Sequence, residues 1–170
     1  MQKTLYQRYA AKLLMVCLRY TKSKADAEDI LQEGFIRIFK NLHQYNFKGS
    51  FEGWMKMIIV NSALESIRKK KMDFVDIQQA ESVNQHISNY NAINNLAIKE
   101  LLLLIQTLPN GCQIIFNLYV FDELRHKEIS IKLNISESTS KSQLARARQL
   151  LQEKIEPQKV NNKKVFETNE

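Results

Sequence analysis

An all-α protein made of two small helical domains joined by a flexible linker is the fold that this 170-residue sequence predicts. Three observations carry that expectation. Four glycines and two prolines are too few for a many-stranded sandwich or barrel, whose turns recur roughly every 8–12 residues. Apolar residues recur every three or four positions through several long segments, which is the helical period. The charge is also partitioned. Residues 1–72 carry 14 Lys and Arg against six Asp and Glu, residues 73–96 carry three acids and no Lys or Arg, and residues 97–170 carry 11 basic against nine acidic side chains. A basic front, an acidic connector and a mildly basic back predict domains over 1–72 and 96–156, a linker over 73–95 and a disordered tail over 157–170.

The elements follow in order. Leu5, Tyr9, Leu13, Val16 or Cys17, and Tyr20 form the stripe of a first helix. Ala27, Ile30, Leu31, Gly34, Phe35, Ile38 and Leu42 form the stripe of a second. Its first turn holds Asp26, Glu28 and Asp29, acids that suit the positive end of the helix dipole. The segment QYNFKGS breaks the pattern, and Ser50 is the expected N-cap of a third helix reaching about Lys71. Residues 72–92 are rich in Gln, Asn and Ser without a firm period and read as linker.

The pattern resumes with INNLAIKELLLLIQT, stopped by Pro109. GCQIIFNLYVFDE forms the next helix and LRHKEISIKL a short one. Asn134 stops the short helix in a left-handed conformation, and Ser136 caps a long helix to about Ile155, ended by Pro157.

A formal net charge of +7 points to a polyanionic partner, since each neutralised phosphate releases counterions. Cys17 and Cys112 lie in apolar helical patterns and read as free core thiols of a cytoplasmic protein. The apolar stretch AAKLLMVCL is interrupted by Lys12 and too short to span a bilayer. His43, His86 and His126 stand at no metal or triad spacing, and no Gly-rich phosphate loop occurs. No metal, cofactor, small-molecule substrate or membrane insertion is therefore expected.

The segment over 125–133, the turn Asn134-Ile135-Ser136 and the long helix after it form a helix-turn-helix. Ser140, Leu144, Ala147, Leu151 and Ile155 share the inward face of the long helix, and Ser138, Lys141, Ser142, Ala145, Arg146 and Gln149 the outward one. Small side chains there allow close approach to a major groove, while Lys and Arg reach phosphates or guanine edges. In the front half, Trp54, Ile58, Asn61, Glu65 and Arg68 line one side of the third helix. Asn61 is either a half-buried structural amide or a base-reading one. Tyr45, Phe47, Phe51 and Trp54 alternate with Lys48 and Lys56, the mixture that single-stranded bases require for stacking and charge neutralisation. Phe51 is expected in the core and Tyr45 nearer the surface.

DAEDILQEGFIRIF over 26–39, then SFEGW, NSALESIRKKK, LPNGCQIIF and HKEISIKLNISESTSKSQLARAR resemble, in order, bacterial RNA polymerase sigma factors of the extracytoplasmic-function type. The match covers roughly residues 5–71 and 96–155. The resemblance implies two helical domains, regions 2 and 4, without catalysis of their own. Region 2 would dock on the clamp helices of the polymerase β′ subunit and open the minus-10 element. Region 4 would sit on the β flap and read the minus-35 element. The implied partners are core RNA polymerase, promoter DNA and an anti-sigma factor.

By position, Asp26, Asp29, Gln32 and Glu33 would face the polymerase. Tyr45, Trp54, Asn61, Glu65, Arg68 and Lys69 would face the minus-10 DNA, with Tyr45 beside a flipped base and Asn61 reading it. Ser138, Lys141, Ser142, Ala145 and Arg146 would face the minus-35 DNA. The chain departs from the family at Glu65, where Asp or another polar residue is usual. It has Thr139-Ser140-Lys141-Ser142-Gln143 where much of the family reads T-V-K-S-R. Glu123 and Asn134 replace frequent glycines. A stand-alone helix-turn-helix regulator is the alternative reading. It accounts for residues 96–155 and leaves DAEDILQE and the aromatic-basic segment unexplained.

Overall fold

The structure is a computed structural model. It describes the backbone of residues 2–73 and 96–166, with side chains for 2–70 and 96–155. The described elements are seven α-helices and one 3-10 turn. The chain divides into two compact units, Met1–Lys99 and Glu100–Glu170. All but one residue of the predicted linker, 73–95, lies outside the described residues; Asp73 ends the third helix.

In the first unit α1 (Gln2–Tyr20), α2 (Lys24–Asn41) and α3 (Phe51–Asp73) pack on one another. Their apolar stripes meet in a core of Leu13, Val16, Cys17, Leu18, Ile30, Leu31, Phe35, Ile38, Met55, Ile59, Val60 and Leu64. Most of the predicted α1 and α2 stripes enter the core, but Leu5 and Tyr9 are only part-buried, and Leu42, expected at the end of the α2 stripe, lies in the 3-10 turn after the helix and is 38% exposed. Ser23 caps α2, its Oγ accepting the Asp26 amide at 3.1 Å. Ser50 caps α3 as expected, its Oγ accepting the Gly53 amide at 3.0 Å. Gly34 lets α2 and α3 approach closely: a Cβ there would stand 2.2 Å from Ile59 Cδ1. The pattern break between the helices is a 3-10 turn, Leu42–Gln44, and a loop in which Phe47 and Gly49 have positive φ.

The second unit contains α4 (Leu96–Gln106), α5 (Asn110–Val120), α6 (His126–Leu133) and α7 (Glu137–Phe166). Its core includes Leu108, Cys112, Ile115, Leu118, Ile129, Leu144 and Ala147. Both cysteines are buried free thiols, and burial pushes Cys17 up to about 12. Asn134 takes the left-handed conformation expected of it, φ 54° and ψ 52°. Glu123 has φ 57°, so both residues that replace family glycines occupy backbone that glycine favours.

The end of α7 corrects the sequence reading. The helix passes Pro157 and reaches Phe166, where a helix end and a disordered tail over 157–170 were expected. Within a helix, proline removes the amide that would reach the carbonyl four residues back, here that of Glu153, and its ring crowds that carbonyl, at a cost of about 3 kcal/mol. Residues 167–170 lie outside the described residues. At the same end Ile155, expected on the inward face, is 39% exposed, because the core stops at Leu151. No described helix is long and apolar enough to cross a membrane.

Candidate nucleic-acid interface

The acidic face of α2 holds one carboxylate tied to another helix and others that are exposed, of which Glu33 pairs within α2. Asp29, Gln32 and Glu33 are exposed. Asp26 is only part-exposed, and its carboxylate pairs with Lys70 of α3. The four residues expected as one surface are therefore unequal, since engaging Asp26 would compete with an ion pair between helices. Beside them Tyr6, Ala10, Ala11, Leu14, Glu28, Leu31 and Gln32 line a shallow groove of about 220 Å³.

A line of charges continues from α2 onto α3. Arg37 Nε donates to Glu33 Oε1 at 2.9 Å, and Arg37 Nη1 donates to Glu65 Oε2 at 2.6 Å. Lys69 Nζ lies 3.1 Å from Glu65 Oε1. Both Glu65 oxygens are thus engaged, and the Arg37 bond, then Lys69, holds the carboxyl down at about 2. The Glu65 and Lys69 expected to face DNA are paired with each other. Arg37 is the residue that the sequence reading missed. Its spacing to Glu33 is a readable helical pair, but its bond to a residue 28 positions away is not.

The loop before α3 and its first turns build an aromatic cluster. Tyr45 lies 5.0 Å from Phe51 and 5.5 Å from Trp54 between ring centroids, and Phe51 stacks on Trp54 at 5.6 Å and 20°. Tyr9 of α1 closes on Phe51 edge-on at 6.2 Å. Tyr45 Oη donates to the Gly49 carbonyl at 2.8 Å, which pins the loop across its turn. Phe51, expected in the core, is only part-buried, as is Tyr45. The reason is that these rings pack on one another at the rim of the unit rather than under it. The exposed ring is Phe47, 85% accessible and 5.0 Å from Tyr45.

On α3 the expected face holds: Trp54, Ile58, Asn61, Glu65 and Arg68 lie opposite buried Met55, Ile59, Val60, Ala63 and Leu64. Asn61 is exposed rather than half-buried. Lys12 Nζ of α1 reaches Glu52 Oε2 of α3 at 3.0 Å, tying the helix start to the bundle.

In the second unit, backbone and caps set the helix-turn-helix. The Arg125 amide donates to Glu128 Oε2 at 2.7 Å and opens α6. The Ile135 amide donates to the Ser130 carbonyl at 3.0 Å and closes it through left-handed Asn134. The Ser136 Oγ accepts the Thr139 amide at 3.0 Å and starts α7. Ser140, Leu144, Ala147 and Leu151 are buried, while Ser138, Lys141, Ser142, Ala145, Arg146 and Gln149 are all turned away from that core, with Lys141, Ser142, Ala145 and Arg146 exposed. This is the division that the 3.6-residue period predicts. The exposed face of α7 carries small side chains and the basic Lys141 and Arg146.

The chain is similar to known proteins. The family model described as Sigma-70 region 2 matches residues 5–72, and that described as Sigma-70, region 4 matches residues 98–151. The chain is 34% identical over 149 residues to the ECF RNA polymerase sigma factor SigM of Bacillus subtilis, covering 86% of this chain and 90% of that protein. It is 27% identical over 161 residues to the ECF RNA polymerase sigma-E factor of Escherichia coli, covering 88% and 84%. Among solved structures, the sigma factor RpoE of Bartonella quintana, crystallised with the anti-sigma factor NepR, matches with a TM-score of 0.60 at 18% identity, over 91% of this chain and 96% of that one. That last likeness is one of fold.

Proposed function

Because the chain belongs to the extracytoplasmic-function type of sigma-70 RNA polymerase sigma factors, we propose that its two helical units divide promoter recognition between named faces of α2, α3 and α7. The protein binds core RNA polymerase and directs promoter-specific transcription initiation. In our assignment residues 1–72 act as region 2 and residues 96–156 as region 4, cytoplasmic and without catalysis of their own.

The exposed acids Asp29 and Glu33, with Gln32, dock on the β′ clamp helices. Asp26 contributes through its pairing with Lys70, which holds α2 against α3. Asn61, with Tyr45, Trp54, Arg68 and Lys69, receives the opened minus-10 strand. Ser138, Lys141, Ser142, Ala145 and Arg146 enter the minus-35 groove, while region 4 rests on the β flap. An anti-sigma factor is proposed to hold the protein inactive, by analogy with the Bartonella quintana structure, where one is bound.

The observation that carries this assignment is the exposed face of α7, presented on a helix whose other side is buried. A free helix-turn-helix regulator would bind its site tightly alone. Here two small DNA surfaces need a scaffold to set their spacing. The test is run-off transcription with core polymerase on promoters altered in either element. Arg146→Ala and Lys141→Ala act on the upstream element, and Asn61→Ala on opening of the downstream one. Removing a side chain that reads a base edge costs about 1–3 kcal/mol at that base pair. Permanganate probing that finds melting untouched by Asn61→Ala refutes the downstream assignment.

A further inference from the structure

Ser140 has no solvent access, yet it carries a hydroxyl on the core face of α7. A buried hydroxyl is costly unless something bonds it. Its Oγ lies 2.9 Å from Nδ1 of His126, in the first turn of α6. The same imidazole stacks on Tyr119 of α5, with centroids 4.8 Å apart and 27° between planes. The Arg148 guanidinium of α7 lies 5.7 Å from the centre of that tyrosine ring. His126, itself on α6, thus ties α5 to α7, and the three helices build the helix-turn-helix unit.

A second tie lies close by on α7. The Cys112 thiol of α5 donates to Gln143 Oε1 at 3.0 Å. Burial pushes that thiol upward, which keeps it in the protonated, donating form. Ser140 and Gln143 flank Lys141 and Ser142, which face outward. They are also the two positions at which this segment departs from V and R of the T-V-K-S-R pattern. Polar ties are directional where apolar packing is not. They therefore define the rotation of α7 about its own axis more narrowly than a methyl group would.

We infer that His126 is a positioning residue for upstream-element recognition: through Nδ1 and Ser140 it sets the rotation and depth at which α7 presents Lys141 and Ser142. The inference rests on the assignment of α7 to the minus-35 groove. Serine both donates and accepts, so either imidazole tautomer keeps the bond, and so does the imidazolium. The tie is a geometric constraint at every working pH.

Three variants separate positioning from bulk stability in the assembled holoenzyme. His126→Phe keeps a ring for Tyr119 but leaves Ser140 unpaired. His126→Asn returns a polar group near the Nδ1 position without the ring. His126→Phe with Ser140→Val replaces both partners by apolar groups, which restores packing without the directional bond. Each is measured for melting temperature and for run-off transcription across all single-base changes of the upstream element, with a promoter of strengthened downstream element as control.

His126→Phe is expected to lower upstream-dependent transcription about tenfold and to change the base preference at one or two upstream positions about threefold, the control promoter staying within about twofold. His126→Asn regains most of the preference. The double variant regains the melting temperature but not the preference. The inference is overturned if His126→Phe lowers all promoters alike with unchanged base preference, or if the double variant reads the wild-type sequence. Lys141→Ala and Arg146→Ala serve as the reference. If they too leave upstream preference untouched, the groove assignment fails along with the inference. If they alter it while His126→Phe does not, only the positioning role fails.

Discussion

Replacing Gly34 by alanine sets two opposed effects against each other in the middle of α2. Alanine is the better helix former by about 1 kcal/mol, so on an open helix face the change would stabilise. Here the new Cβ would stand 2.2 Å from Ile59 Cδ1 and 3.4 Å from Cγ1. Ile59 is fully buried on α3, so its terminal methyl can move only by displacing neighbours. Overpacking of this kind costs about 1–3 kcal/mol, and the net expectation for Gly34→Ala is a loss of about 0–2 kcal/mol.

Ile59→Val removes the one atom that clashes. Alone it should cost about 1 kcal/mol, within the usual range for a buried Ile→Val change. Combined, the new alanine methyl takes the place of the deleted one and the helix-propensity gain survives. The double variant should then match the wild type to within about 0.5 kcal/mol, a coupling of about 1–3 kcal/mol. The assay is urea unfolding of the four proteins at one pH, followed by far-ultraviolet circular dichroism. Additive losses within about 0.5 kcal/mol would refute the claim that helix approach, not loop-like flexibility, explains this glycine.

Asp29→Lys with Glu33→Lys should lower core polymerase affinity more than about tenfold while leaving the melting temperature near wild type, because both side chains are exposed and Glu33 gives up only a surface pair with Arg37. Wild-type holoenzyme assembly in a pull-down titration would show that the docking face lies elsewhere. The Glu65 carboxyl should titrate at about 2 by carbon-13 NMR. Its folded value lies below the unfolded one, so its contribution is complete above the ordinary carboxylate value of 4.5 and is lost as pH falls toward 2. Arg37→Met should return the midpoint toward 4.5, and no change would mean that the pairing does not persist in solution. Glu123→Gly should raise stability by about 0.5–1 kcal/mol, the relief of left-handed strain less the entropy of the more flexible unfolded chain; a lower melting temperature contradicts this.

The sequence by itself determined which side of each helix is buried and where most helices begin. Both are local. The core stripes of α1, α2 and α7 are written at three- and four-residue spacing, and Ser50, Asn134 and Ser136 each act on backbone groups within five residues. The two outward faces, on α3 and α7, follow from the same period. Only the tertiary structure decided how those faces are occupied. The pairing of Arg37 with Glu65, of Asp26 with Lys70 and of His126 with Ser140 joins different helices. Each depends on helix rotation and approach, which side-chain volumes such as the missing one at Gly34 set collectively. It also decided that Phe51 packs at a rim of aromatic rings and that α7 continues through Pro157. A period encodes direction away from a core; the identity of the neighbour met there is a property of the packed whole.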